Sequence, residues 1–217
     1  MWDFNEHGKA CFRVNDWLLQ VGWRPEGVDL IAICQASRPS AGTVSLVDRP
    51  LPALAESFIR GDELHLLMPQ DTAGQAGLAL ALLIIQADRD SLVVESTLSI
   101  ETLLLDAHPI IDLAMPGDGP LADEARDTAT VFSRDNRSAG VGLQRPRLQV
   151  LVDQRDQPSL DPSCKSAGSL RFFGDFMEKG VIRKAQPWWV WTNADANADC
   201  LTPLVRELAR RPLPLAN

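Results

Sequence analysis

The stretch from Leu78 to Asp106 limits what this chain can fold into more than any other part of it. Its opening run, Leu-Ala-Leu-Ala-Leu-Leu-Ile-Ile-Gln, is apolar on both faces, as a central strand would be. A charged turn follows, Asp88-Arg89-Asp90-Ser91. Beyond it Val94, Leu98, Ile100 and Leu104 take even positions, while Glu95, Thr97, Ser99 and Glu101 take odd ones. A period of two belongs to a strand with one buried and one wet face. The pair therefore predicts a hairpin with strands at 78–86 and 92–105. Ala and Leu also favour helix, which leaves 78–86 with a helical alternative. The strand is favoured, because a polar turn and an unambiguous strand follow directly.

Other segments repeat the pattern. Trp17, Leu19, Val21 and Trp23 share one face of a strand that ends at the turn Arg24-Pro25-Glu26-Gly27. Short strands are expected at 29–35 and 43–47, and a tight hairpin at 55–60 and 64–68 around Gly61-Asp62. Gly61-Asp62 also completes the adhesion-type tripeptide Arg60-Gly61-Asp62, which reads here as turn chemistry. Between 116 and 147 the chain turns irregular, broken by Pro116, Gly117, Gly119 and Pro120, with room for a short acidic helix from Leu121 to Thr128. Leu148, Val150 and Val152 restore a strand. Residues 170–179 are ambiguous: Leu170, Phe173 and Met177 share a helical face, and Gly180 would cap it. A strand from Val181 to Trp191 is interrupted at Pro187.

The clearest helix is the last. Thr202 caps it, Pro203 takes its first position, and Leu201, Leu204, Val205 and Leu208 form its stripe. The expected fold is α+β and β-dominated: antiparallel, sandwich-like sheets with two or three helices, one of them C-terminal. Residues 1–115 read as a β lobe, 116–147 as an irregular connection, and 148–217 as a smaller α+β lobe packing on it, the whole being compatible with one domain.

A net charge of −8 disfavours nucleic acid and anionic membrane surfaces, both of which need a surplus of cations. The N-terminal residues carry no basic region followed by an apolar run, so a cytoplasmic protein is expected. No segment approaches the roughly 20 apolar residues of a membrane helix. The four cysteines, Cys11, Cys34, Cys164 and Cys200, lack the paired spacing of a zinc or redox site and read as reduced thiols.

Chemistry is sparse. His7, His65 and His108 are scattered, and the nucleophile-elbow, phosphate-loop, dinucleotide and zinc-protease signatures are all missing. Asn193, Asp195, Asn197 and Asp199 alternate like calcium ligands. An EF-hand loop from Asp195 would put Cys200 where Gly is needed and Arg206 where the bidentate Glu belongs, so no metal is expected. Asp153, Asp156 and Asp161 read as ordinary acidic loop residues. Lys179, Arg183 and Lys184 could hold an anion, with Gly180 turning the backbone toward it. Trp188, Trp189 and Trp191 suit either a buried core or a glycan platform, and the core is favoured because the last helix can cover them with Leu204 and Leu208.

The strings Phe-Met-Glu-Lys-Gly-Val-Ile-Arg-Lys-Ala (176–185) and Ile-Arg-Gly-Asp-Glu-Leu (59–64) resemble segments of planctomycete-type bacterial proteins of unassigned activity. That resemblance implies a bacterial cytoplasmic protein and carries over no catalytic residue. The favoured function is a non-enzymatic binding or structural module that self-associates, needs no cofactor and takes an undefined small ligand. Lys179, Arg183, Lys184 and Trp188 are its candidate ligand-binding residues. The alternatives are an enzyme acting on small molecules or carbohydrates, and a glycan-binding module.

Overall fold

A computed structural model describes the chain except for residues 6–8, 36, 72–75, 116–120, 127–128, 135–144, 157, 161–168, 194–200 and 213–217. Strand makes up 62% of it, in two antiparallel sheets. The strands are β1 (Trp2–Phe4), β2 (Ala10–Val14), β3 (Trp17–Arg24), β4 (Gly27–Cys34), β5 (Ser40–Leu46), β6 (Glu56–Arg60), β7 (Glu63–Met68), β8 (Gly77–Ala87) and β9 (Ser91–Glu101). There follow β10 (Ile110–Ala114), β11 (Leu121–Arg126), β12 (Ala129–Arg134), β13 (Arg147–Asp153), β14 (Ser159–Leu160), β15 (Ser169–Phe173), β16 (Ile182–Ala185) and β17 (Trp188–Thr192). One α-helix, α1 (Leu201–Arg210), closes the described chain, and Gln154–Asp156 form a single 3-10 turn. Among the described residues α1 is the only α-helix, and it is too short to cross a membrane.

The eight-stranded sheet runs β1-β2-β3-β4-β5-β10-β15-β14, and the nine-stranded sheet β11-β12-β13-β17-β9-β8-β7-β6 with β16 added beside β9. Their inner faces share one apolar core. Leu19, Val21 and Leu30 enter it from the first sheet, and Leu66, Leu80, Leu98 and Trp189 from the second. Alternation decides which residues go in. Even positions of β9 (Leu92, Val94, Leu98, Ile100) face this core, while Val93 belongs to a second one. There α1 lays Leu201, Leu204, Val205 and Leu208 on Val131, Leu151, Trp188 and Val190. The layers are therefore sheet, sheet and helix.

Pro187 explains an interruption. β16 pairs Ile182 with Glu101 and β17 pairs Trp188 with Glu95, so both belong to one register along β9. Proline has no N–H to give the ladder, but its carbonyl still accepts from Ser96 N at 3.0 Å. Trp189 needs a second concession. A Cβ on Gly42 would stand 2.2 Å from the Trp189 ring, so only glycine admits that indole between the sheets.

Four expectations require correction. Residues 121–126 form strand β11 on β12, not an acidic helix. Residues 169–173 form β15, so the spacing of Leu170, Phe173 and Met177 is not helical. With both helices gone, one remains rather than two or three. The stretch 116–147 contains β11 and β12, and both sheets join earlier and later parts of the chain, β15 pairing β10 in one and β17 pairing β9 in the other. The last helix has already begun at Leu201, which places Thr202 and Pro203 inside its first turn. Proline is tolerated there because a first-turn N–H lacks an intrahelical partner.

Candidate functional site

Two crossings between the sheets run side by side at one end of the sandwich. Residues 102–109 lead from β9 to β10, and residues 174–181 lead back from β15 to β16. They are laced together by backbone hydrogen bonds. Gly180 N donates to Thr102 O at 2.8 Å, and Met177 N to Ala107 O at 2.9 Å. Thr102, Ala107 and Met177 turn inward and are buried, closing the end of the core. Leu103, Leu104, Leu105, Phe176 and Val181 turn outward, with Leu105 76% exposed.

Such a run of exposed apolar side chains is uncommon on a folded surface. It is held in place rather than loose. Gln70 Oε1 accepts from Leu103 N at 2.6 Å, and Thr102 Oγ1 accepts from Leu104 N at 3.2 Å. Arg183 donates to Phe176 O at 2.8 Å and pairs with Asp175 at 3.5 Å. His108 tilts against Phe176, ring centroids 6.0 Å apart. This apolar crown is the most distinctive surface feature of the molecule.

Two concavities flank it. On one side a groove of about 450 Å³ crosses the outer face of the nine-stranded sheet, floored by Leu67, Ala79, Ser99 and Ile182 and walled by Leu103. On the other lies a more polar cleft of about 620 Å³ lined by Asp48, Arg49, Asp71 and His108 among three prolines. Asp48 and Phe173, on the strand ends either side of β10, have φ of 60° and 65°. For phenylalanine that conformation is costly, and Gly174, with φ of 92°, continues the bend.

The residues nominated from sequence are dispersed. Lys179 stands exposed in the turn of the returning crossing. Arg183 and Lys184 are consecutive on β16 and so point to opposite faces; Arg183 serves the crown, and Lys184 lies opposite Ser99 on the outer face. Trp188 is fully buried beneath α1. Its Nε1 donates to Glu95 Oε2 at 3.0 Å, and the Arg211 guanidinium lies 5.0 Å above its ring while also pairing with Glu95. Trp189 and Trp191 stack on each other in the inner core, where Ser96 Oγ accepts from Trp189 Nε1 at 3.0 Å. With all three indoles buried they offer no glycan platform. Leu204 and Leu208 cover Trp188 and Val190, not Trp189 and Trp191.

Asp195, Asn197 and Asp199 lie outside the described residues, as do Asp161, Cys164, Cys200 and His7. Asn193 is engaged, its Nδ2 donating to Arg89 O at 2.6 Å. Burial opposes ionisation of Asp153, but hydrogen bonds from the Arg155 side chain and backbone outweigh it and hold the carboxyl below its usual range. Burial pushes Asp156 up, even though Gln186 N donates to it at 2.9 Å. Cys11 and Cys34 are free thiols, and burial raises Cys34. No group of three or more potential metal ligands occurs among the described residues.

The leucines were missed because an apolar run next to a strand reads as more strand. A signal was nevertheless present: alternation fails at Leu103, where three leucines follow one another. Fold and site together define a two-sheet antiparallel sandwich with one helix-covered face and an apolar crown. Comparison with known protein families, curated proteins and solved structures finds no match to this chain.

Proposed function

We propose that this chain is a bacterial, cytoplasmic, non-enzymatic binding module whose crown pairs with the crown of a second copy. The observation that carries the reading is the fixed exposure of Leu103, Leu104 and Leu105 beside Phe176 and Val181. A second copy fits the charges around it. The 101–106 arm carries only acids, Glu101 and Asp106. The returning arm carries Lys179, Arg183 and Lys184 against Asp175 and Glu178, with Arg183 neutralising Asp175. A two-fold axis along the seam lays each acidic arm on the basic arm of the other copy, as an isologous interface requires. The nominated cations thus serve the rim of an interface. The free thiols of Cys11 and Cys34 suit a reducing compartment.

Light scattering coupled to size exclusion tests this. The chain should run as a dimer at high concentration and dissociate on dilution, and Leu104→Asp or Leu105→Asp should run as a monomer with unchanged melting. A dimer that survives both substitutions would refute the crown as its interface. A second reading, an enzyme acting on small molecules, has the cleft around His108 in its favour. It predicts turnover of some ester, phosphate or glycoside in a substrate panel, abolished by His108→Ala.

A further inference from the structure

The groove beside the crown has a chemistry of its own. Glu56, Leu67, Ala79 and Ser99 form one row across its floor, each paired with the next on adjacent strands β6, β7, β8 and β9. Two residues further along β9, Glu101 sits between Gly77 and Ile182. Strand parity places these side chains on the outer face, beyond the reach of α1. The walls are apolar, and the charged residues lining the groove, Glu56 and Glu101, are both carboxylates. Among the described residues neither is in an ion pair. They stand at opposite ends of the trough: three strand spacings separate β6 from β9, about 14 Å.

We infer that the groove binds a linear aliphatic diamine or polyamine. One ammonium meets Glu101 and the other Glu56, while the methylene stem lies on Leu67, Ala79, Ile182 and Leu103. Charge and shape select together. A carboxylate ligand would meet two like charges, and a compact cation would leave the apolar floor uncovered. At about 450 Å³ the space is of small-ligand size. Lys184, diagonal to Glu101 on the same face and in no ion pair with it, is a cation that opposes the ligand. Glu101 and Leu103 belong to both the groove and the crown, so binding is tested on the monomeric variant as well as on the wild-type chain.

Octamethylenediamine, octanediol and suberate, titrated into the full chain and followed by calorimetry and methyl NMR, provide the test. The diamine should saturate with a Kd of about 1 mM or tighter and shift the methyls of Leu67, Ala79 and Ile182. Octanediol and suberate should not saturate in the same range. Glu56→Gln and Glu101→Gln, both at exposed positions, should each weaken the diamine about tenfold, the effect of losing roughly 1.4 kcal/mol. Lys184→Met should tighten it. The Leu105→Asp monomer should bind at least as tightly as the wild-type chain, because Glu101 and Leu103 are then free of a second copy, which keeps this outcome separate from that of self-association. Equal binding of octanediol, or indifference to both glutamine substitutions, would overturn the inference.

Discussion

Following β9 along its outer face crosses from one kind of surface to another. Val93 and Glu95 lie under α1, within a cluster that includes Val131, Trp188 and Val190. Thr97, Ser99 and Glu101 occupy the same face of the same strand beyond the helix-covered cluster; Thr97 and Ser99 are half-buried, Glu101 is exposed, and Ala79, Ala81 and Ile182 lie beside them. The helix and the apolar half were matched to each other: the stripe of Leu201, Leu204, Val205 and Leu208 needs a partner, and large apolar residues occur where it lands. The other half mixes Thr97, Ser99 and Glu101 with the apolar Leu67, Ala79 and Ile182 that line the groove. Burial therefore marks the helix-covered half as structural and sets the groove-bearing half apart from it.

The largest expected effect tests the covered half. Trp188→Ala should cost about 3–5 kcal/mol in denaturant unfolding, because it empties the space beneath the helix and removes one of the two groups that donate to Glu95. Thr97→Val, on the open half of the same face, should shift stability by less than about 0.5 kcal/mol. Similar costs for the two would dissolve the distinction between the halves.

A finer test compares two buried indoles. Trp188 Nε1 has Glu95 as its acceptor, whereas Trp191 Nε1 has no partner among the described residues. Trp188→Phe and Trp191→Phe remove the same volume, but only the first breaks a hydrogen bond. The first should cost more by about 1–2 kcal/mol. Equal costs would mean that the Glu95 bond adds nothing beyond packing.

A smaller effect, readable by its pH dependence, comes from Asp156. Burial raises its folded pKa above the unfolded value, so the stability present when it is protonated is lost as pH rises through the folded pKa. Asp156→Asn keeps an acceptor for Gln186 N and removes the buried charge. It should raise the melting temperature at about pH 7 and change little near pH 3, below the ordinary carboxylate range. A gain of equal size at both values would assign it to something other than ionisation.

The sequence was informative wherever local pattern and final environment agree. Alternation in 17–23 and 92–105 placed β3 and β9, although β9 stops at Glu101; Gly61 turned the β6–β7 hairpin, and the stripe at 201–208 marked the helix. It misled where propensity and environment part. Residues 121–126, rich in Ala, Asp and Glu, become a strand because β12 offers them a ladder, and a pairing partner is invisible in the strand's own composition. At Leu170, Phe173 and Met177 a helical spacing arose by coincidence, since β15 ends where Phe173 takes a left-handed φ. The crown escaped for a different reason. Apolar residues announce burial, and only the crossing of two loops at the end of the sandwich brings them out to solvent. The groove depends on cross-strand neighbours far apart in the chain, so no local motif could reveal it.

Self-association through the crown is tested most directly by amide hydrogen exchange as the protein is diluted. Protection at 102–109 and 174–181 should fall with concentration, in step with the drop in mass, while protection in β3, β9 and β17 stays constant. Exchange at the crown that ignores concentration, or a protected interface mapping to another part of the surface, would contradict it.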